Sequence, residues 1–249
     1  FPYTTLFRSD YDRLGALYLQ TSQFDKAVDI LNEGIAQYPD SVSLVQKLAD
    51  AHMNNGNNEK SIETIEALLE SDPNNPQYHL VLGTQVYIMA SKINEDISAK
   101  YDQIFNLERN LRNLSGSERA DAENTIKTLN SEINSQSART DELTDRAIKE
   151  IIIVTEMRPE DASANNTLGI IYQNKAAALF DKRNATTDND EASRIDAEAK
   201  DNLRVAMKYY EKATELEPDN QNYWRALFQV YTSLGMNDKA EAAMEKAGM

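Results

Sequence analysis

The chain contains no cysteine, which excludes disulfide bridges, thiol nucleophiles and thiolate metal sites. Glycine and proline are scarce, 8 and 6 in 249 residues, so few turns interrupt the chain and long helices are expected. Histidine occurs only as His52 and His79. Neither an HExxH pattern nor a glycine-rich phosphate loop is present, so two common catalytic signatures are missing. No apolar run approaches the roughly 18 residues that a membrane-crossing helix needs; the longest lies around Ile151 to Val154. Positive charge is short as well: 26 Lys and Arg face 41 Asp and Glu, for a net charge of -15 and a pI near 4.6. Such a surface repels phosphate backbones and anionic membranes, so no nucleic-acid partner and no direct membrane insertion are expected. A basic or neutral protein segment is the easier partner, and the acidity also serves to keep a helical chain in solution.

What is present is a period. Pro39 and Pro73 are 34 residues apart. Pro73 to Pro159 is 86, an excess of 52 over that spacing, and Pro159 to Pro218 is 59, an excess of 25. Each proline follows an apolar helical run and stops it, because proline lacks an N–H and disfavours helix in the residue before it. The following Asp40, Asn74, Glu160 or Asp219 is expected to cap the next helix. A 34-residue period is the mark of a helix–turn–helix solenoid, with the two excesses as insertions.

The windows between prolines agree in detail. The first, from Arg8, carries Tyr11, Leu14-Gly15, Tyr18, Ala27, Leu31, Gly34 and Pro39. The second, from Val42, carries Val45, Leu48-Ala49, His52, Ser61, Ile65 and Pro73. The third, from Pro76, opens with His79 and Leu82-Gly83 and closes late with Ala147, Ile151 and Pro159. The fourth, from Ala162, opens with Leu168-Gly169 and Tyr172 and closes late with Ala206, Tyr210, Ala213 and Pro218. The fifth, from Gln221, carries Trp224, Leu227, Tyr231, Ala240, Met244 and Ala247. This pattern resembles the tetratricopeptide repeat (TPR), and the resemblance covers nearly all of the chain outside the insertions. It implies an all-α, right-handed superhelical solenoid of about five helix pairs, with repeats near 8–41, 42–75, 76–161, 162–220 and 221–249. Phe228, Leu68 and Val154 stand where the family prefers small residues, so looser or tilted packing is expected there.

The larger insertion, about 90–140, continues the helical pattern. Ile93, Ile97, Ile104, Leu107, Leu111 and Leu114 recur at spacings of three and four, and Ala122, Ile126, Leu129, Ile133 and Leu143 return. That spacing predicts a long antiparallel coiled-coil hairpin in the third repeat, broken at Leu114–Glu118. Each arm gains about 26 residues, roughly 39 Å. Lys100, Gln136 and Thr140 fall on its seam, where a polar residue specifies register at a cost in stability. Tyr101 and Phe105 lie beside the seam and are the hairpin's candidate contact residues. The smaller insertion, about 175–200, extends the fourth repeat as a stub, with a polar loop at Asn184–Asp190 and a solvated acidic turn at Asp188, Asp190 and Glu191.

No catalytic constellation emerges. His52 and His79 occupy repeat positions that are normally packed, so the chain is expected to be no enzyme and to use no cofactor or metal. In the family the concave groove is lined by fixed positions of the first helix of each pair. Those positions carry Asp12, Gln46, Asp50, Leu80, Thr84, Tyr87, Asn166, Gln173, Arg225 and Gln229 here. Amide groups suit the backbone of an extended peptide. The family's clamp for a terminal carboxylate needs basic or amide groups where Asp12, Ala16 and Asp50 stand, so that subtype is rejected. The expected function is a non-catalytic scaffold that binds a protein or peptide segment through the groove, the hairpin or both. Two alternatives stay open: a self-assembly module that forms a homo-oligomer through the hairpin, and the accessory tail of an enzyme whose catalytic domain lies upstream.

Residues 1–9 are expected to be a non-native segment, because PYTTLFRS resembles the in-frame translation of a sequencing-adapter end. On that reading the native N-terminus is missing, and any signal peptide or lipid-attachment site with it. The stretch from Asn166 to Lys175 and the one from Tyr209 to Lys239 resemble TPR proteins of Bacteroidota-type bacteria, many of them exported. That favours a periplasmic or cell-envelope location over the cytoplasm.

Overall fold

The computed structural model describes residues 6–249, and the first part of the expected non-native segment, residues 1–5, lies outside them. Among the described residues there are ten α-helices and no strand. They are α1 (Arg8–Gln20), α2 (Phe24–Gln37), α3 (Val42–Asn54), α4 (Asn58–Ser71), α5 (Pro76–Asn110), α6 (Gly116–Met157), α7 (Ala162–Ala185), α8 (Asn189–Leu216), α9 (Gln221–Ser233) and α10 (Asn237–Lys246). They form five consecutive pairs. The first helix of each pair starts at Arg8, Val42, Pro76, Ala162 or Gln221, where the sequence repeats begin. The chain divides into two compact units, one up to Val86 and the other from Tyr87; α5 contributes to both.

The proline turns work by a consistent local mechanism. In each, the residue two after the proline donates its N–H to the carbonyl of the residue before it: Ser41 to Tyr38 (3.0 Å), Asn75 to Asp72 (3.2 Å), Asp161 to Arg158 (3.0 Å) and Asn220 to Glu217 (3.1 Å). Proline thus sits at the second position of a four-residue turn, where its fixed φ fits. The cap is therefore one residue later than the sequence suggests. Asn75 accepts from the N–H groups of Gln77 and Tyr78, Asp161 from Ala164 and Asn220 from Asn222. Asp40, Asn74, Glu160 and Asp219 are the third residue of the turn instead, too early to reach the first helical N–H groups.

In the first and fourth pairs the two helices meet where one has no side chain. A Cβ on Gly15 would lie 2.5 Å from Cδ2 of Leu31, and one on Gly169 would lie 2.6 Å from the Tyr210 ring. Glycine is required at both places by the facing side chain. In the first unit Tyr11, Ala27, Leu31, Leu44, Leu48 and Ala51 form a common core. In the second, Ala176, Leu203, Ala206, Tyr210, Leu227, Val230 and Ala243 belong to another. Where the sequence puts larger residues at small positions the packing accommodates them, with Val154 fully buried and Phe228 partly so.

Helices α5 and α6 run antiparallel well past the length of an ordinary repeat. Ile97, Ile104, Leu129 and Ile133 form a buried cluster, flanked by Ile93, Tyr101, Leu107 and Ile126. A short 3-10 turn at Leu111–Asn113 ends the outward arm. The return helix begins at Gly116, with Ser115 in the cap position. The polar seam residues are in place. Lys100 is only 9% exposed and pairs with Asp96, and with Glu132 at 3.6 Å. Gln136 donates to the same Asp96 at 2.6 Å. The second extension packs along this structure: Ser98 donates to Asp181 at 2.9 Å and Lys175 pairs with Asp145 at 3.2 Å. Its connecting loop is shorter than expected, residues 186–188, because α7 continues to Ala185 and Asp188 caps α8 through the Glu191 N–H.

Gly169→Ala forces a methyl against the Tyr210 ring and is expected to lower stability by about 1–3 kcal/mol. Urea unfolding measures it, and combining the change with Tyr210→Leu should cost less than the sum of the two. The seam carries a pH signature. Hydrogen bonds from Lys100 and Gln136 hold the Asp96 carboxyl below its ordinary value, and Asp96 holds the Lys100 ammonium above its own. The Asp96 contribution is complete above its unfolded pKa of about 4 and is lost as pH falls through the depressed folded value. The Lys100 contribution is complete below about pH 10 and is lost as pH rises through the raised value. Asp96→Asn should flatten the acid limb of the pH–stability curve. Lys100→Met should lower the thermal midpoint at neutral pH, because the bonds to Asp96 and Glu132 outweigh the desolvation of the Lys100 ammonium and are lost with it.

Candidate protein-interaction surfaces

The residues predicted to line a groove lie on the first helices of the pairs: α1, α3, α5, α7 and α9. In the first unit, Asp12 of α1 accepts hydrogen bonds from Ser43 and from Lys47 of α3, the latter at 2.9 Å. Burial works upward on the Asp12 carboxyl, but the bonds from Ser43 and Lys47 outweigh it and hold the group below its ordinary value. Asp50 of α3 accepts from Gln85 of α5 at 2.9 Å. Gln85 is only 2% exposed, and its carbonyl oxygen has no hydrogen-bond partner among the described residues. Gln46 is exposed, and Leu80 and Thr84 are half-buried.

The second unit repeats the arrangement with neutral groups. Asn174 of α7 donates to the Tyr87 hydroxyl of α5. Burial pushes that hydroxyl up, against the Asn174 bond, so it stays protonated at neutral pH. Gln173 of α7 accepts from the Tyr210 hydroxyl at 2.7 Å and donates to Gln229 of α9 at 3.3 Å. Asn166 is half-buried, and Arg225 is exposed beside Asn222, to which it donates at 3.5 Å. Of the ten predicted residues, Asp12, Asp50, Tyr87, Gln173 and Gln229 thus join one first helix to the next within their own unit. Gln85 and Lys47 belong to the same arrangement. Sequence reasoning passed over them because their repeat positions face between helices.

The hairpin candidates differ from each other. Tyr101 packs against the seam cluster and is half-buried, whereas Phe105 is 61% exposed. Both line a small recess with Ser98, Asp102, Asp181 and Asn184. Tyr101 also lines a larger cleft of about 450 Å³ between α5, α6, α7 and α8. No sequence signal marks that cleft, since it exists only because the two extensions pack side by side.

Other chemistry is sparse. His79 is buried with its Nε2 3.0 Å from the Pro73 carbonyl oxygen. The equivalent Trp224 donates to the Pro218 carbonyl at 2.8 Å. His52 is half-buried, and burial followed by the charge of Lys60 lowers its pKa. Among the described residues no three His, Asp or Glu side chains gather as a metal site, and no helix is long and apolar enough to cross a membrane.

A tetratricopeptide-repeat family model matches residues 13–83, and a second one matches residues 197–220. The chain is built from tetratricopeptide repeats. Solved structures agree on the fold. A thermophilic TPR protein of Thermus thermophilus, TTC0263, is 16% identical with a TM-score of 0.53, over 97% of this chain and 90% of that one. The MamA protein is 14% identical with a TM-score of 0.51, over 96% of this chain and 89% of that one. The MamA RS-1 ArsTM double mutant is 12% identical with a TM-score of 0.52, over 96% and 92%. No curated protein sequence matches. Tetratricopeptide repeats are typical of protein–protein interaction scaffolds, which are mostly non-catalytic.

Removing the Lys47 ammonium tests the joint between α1 and α3. Lys47→Met should raise the Asp12 carboxyl toward its ordinary value, measured by carboxyl-carbon NMR titration. With wild-type Lys47, the Asp12 contribution to stability is complete above about pH 4 and lost as pH falls through the depressed value.

Proposed function

We propose that this TPR chain is a non-catalytic scaffold that binds an extended protein segment along the first-helix faces of its repeats. The observation that carries this reading is the arrangement of carboxylate, amide and hydroxyl groups there, cross-linked by Asp12–Lys47, Asp50–Gln85 and Gln173–Gln229. Side chains already held by their neighbours lose little freedom on binding, which is how preorganisation improves affinity. An extended peptide presents backbone N–H groups that need acceptors. Asp50 and the unpartnered Gln85 carbonyl offer such acceptors in one unit, and Gln229 offers its amide in the other. Recognition through amides depends weakly on peptide sequence, so neighbouring side chains such as Leu80 and Arg225 would select. The exported, cell-envelope setting suggested by the lineage of the C-terminal repeats belongs to the same proposal.

A photo-crosslinking residue placed at Gln46 or Gln229 should yield discrete protein adducts, while the same residue at the exposed Glu63 or Glu215 should not. Once a segment is identified, Gln173→Ala with Gln229→Ala should weaken its binding about tenfold, as expected for one or two hydrogen bonds. Adducts from the hairpin alone would move binding away from these faces. A concentration-dependent dimer joined through Phe105 would favour self-assembly instead.

A further inference from the structure

The cleft between the two extensions has no part in the peptide-binding faces just described. It is lined by Ile97 and Tyr101 of α5, Thr140, Asp141, Thr144 and Asp145 of α6, Lys175, Leu179 and Lys182 of α7, and Glu198 of α8. Its volume of about 450 Å³ falls within the range of cavities that hold ligands. The adjoining recess, about 100 Å³, adds Asp102, Phe105 and Asp181 and shares Tyr101. Two features of this place point the same way.

The first is charge. Asp141, Asp145, Glu198, Asp102 and Asp181 face only Lys175 and Lys182, and Lys175 is already paired with Asp145. The second is apolar. Phe105 stands 61% exposed at the recess, beside the carboxylates of Asp102 and Asp181. An aromatic face next to carboxylates suits a guanidinium or ammonium group, which can stack on the ring and pair with the acid.

We propose that this cleft is a second binding site, which takes a basic segment of a partner protein with Lys or Arg side chains spaced by apolar ones. Anionic ligands, nucleic acids and acidic headgroups are disfavoured by the local charge. A second copy of the chain, at a net charge of -15, meets the same repulsion. A free polyamine would satisfy the carboxylates and leave Phe105 and the apolar floor of Ile97 and Leu179 without partners. A polypeptide satisfies both.

The test uses the whole chain and fluorescein-labelled peptides in anisotropy titrations at about 50 and about 300 mM salt, a range over which screening of exposed charges grows strongly. The probe is a short peptide alternating Lys or Arg with Leu; the comparison peptide carries Glu in place of each base. The basic peptide should bind and the acidic one should not, with affinity falling at the higher salt. Asp102→Asn with Asp181→Asn should weaken binding at least tenfold, and so should Phe105→Ala. Asp102 and Phe105 are both exposed, and unchanged circular dichroism melts would show that the fold is kept. Gln46→Ala with Gln229→Ala should leave this affinity unchanged, which separates the cleft from the peptide-binding faces. Asp238→Asn with Glu241→Gln removes equal charge elsewhere and should change affinity by less than twofold. Equal losses from that control pair would reduce the effect to the general field of an acidic protein and overturn the proposal. Spermidine that displaces the peptide at its own binding concentration would overturn it too.

Discussion

The architecture depends on the close approach of the two helices of a pair, which in the first and fourth pairs leaves no room for a side chain at the crossing. Gly15 against Leu31 and Gly169 against Tyr210 are the two clearest cases. The facing residue fills the space a Cβ would take, so the pair behaves as one packed unit. Everything built on the pair inherits its geometry. The Tyr210 ring sits against Gly169, and its hydroxyl reaches Gln173 one turn further along α7. The hydrogen bond from Gln173 to Gln229 then joins the next first helix. A contact needed for packing thereby fixes a polar group on the face of the first helices.

The repeat was legible because it is written in residue types with few alternatives. Proline cannot continue a helix, and glycine marks the close crossing in the first and fourth pairs. The positions of Pro39, Pro73, Pro159 and Pro218 therefore located five helix pairs, and the starts at Arg8, Val42, Pro76, Ala162 and Gln221 follow from them. The caps were read one residue early because the sequence shows an acid or amide after each proline. Only the turn bond to Tyr38, Asp72, Arg158 or Glu217 reveals that this residue is still inside the turn. The long hairpin was legible for the same reason as the repeat: its apolar spacing continued unbroken, and Lys100 and Gln136 interrupted it at matching heights.

The site was less legible than the fold. Periodicity tells which residues share a helix face, and so it placed Asp12, Asp50, Gln173 and Gln229 on the first helices of their pairs. It does not tell that a partner such as Gln85 is buried with an acceptor unmet. The two insertions read as separate objects, a finger and a stub. The bonds from Ser98 to Asp181 and from Lys175 to Asp145 place them against each other, and a cleft results that belongs to neither insertion alone. The two candidate surfaces then differ in chemistry. One carries carboxylates, amides and hydroxyls, which we propose take an extended backbone, and the other carboxylates and aromatics, which we propose take positive charge. A scaffold with both could hold one partner loosely by its backbone and another by its side chains.

The bonds across the long hairpin constrain its history as well as its shape. Asp96 meets Gln136 and Lys100 meets Glu132: one turn forward on one arm answers one turn back on the other. A deletion in a single arm would break the cross-arm bonds of Lys100 to Glu132 and of Gln136 to Asp96 and set the covered lysine against an apolar residue. Arm length can therefore drift only through paired events, equal on both sides and in steps close to whole turns. Relatives of this chain should carry hairpins that are longer or shorter by symmetrical amounts, with the covered lysine at a constant height above the repeat from which the arms emerge.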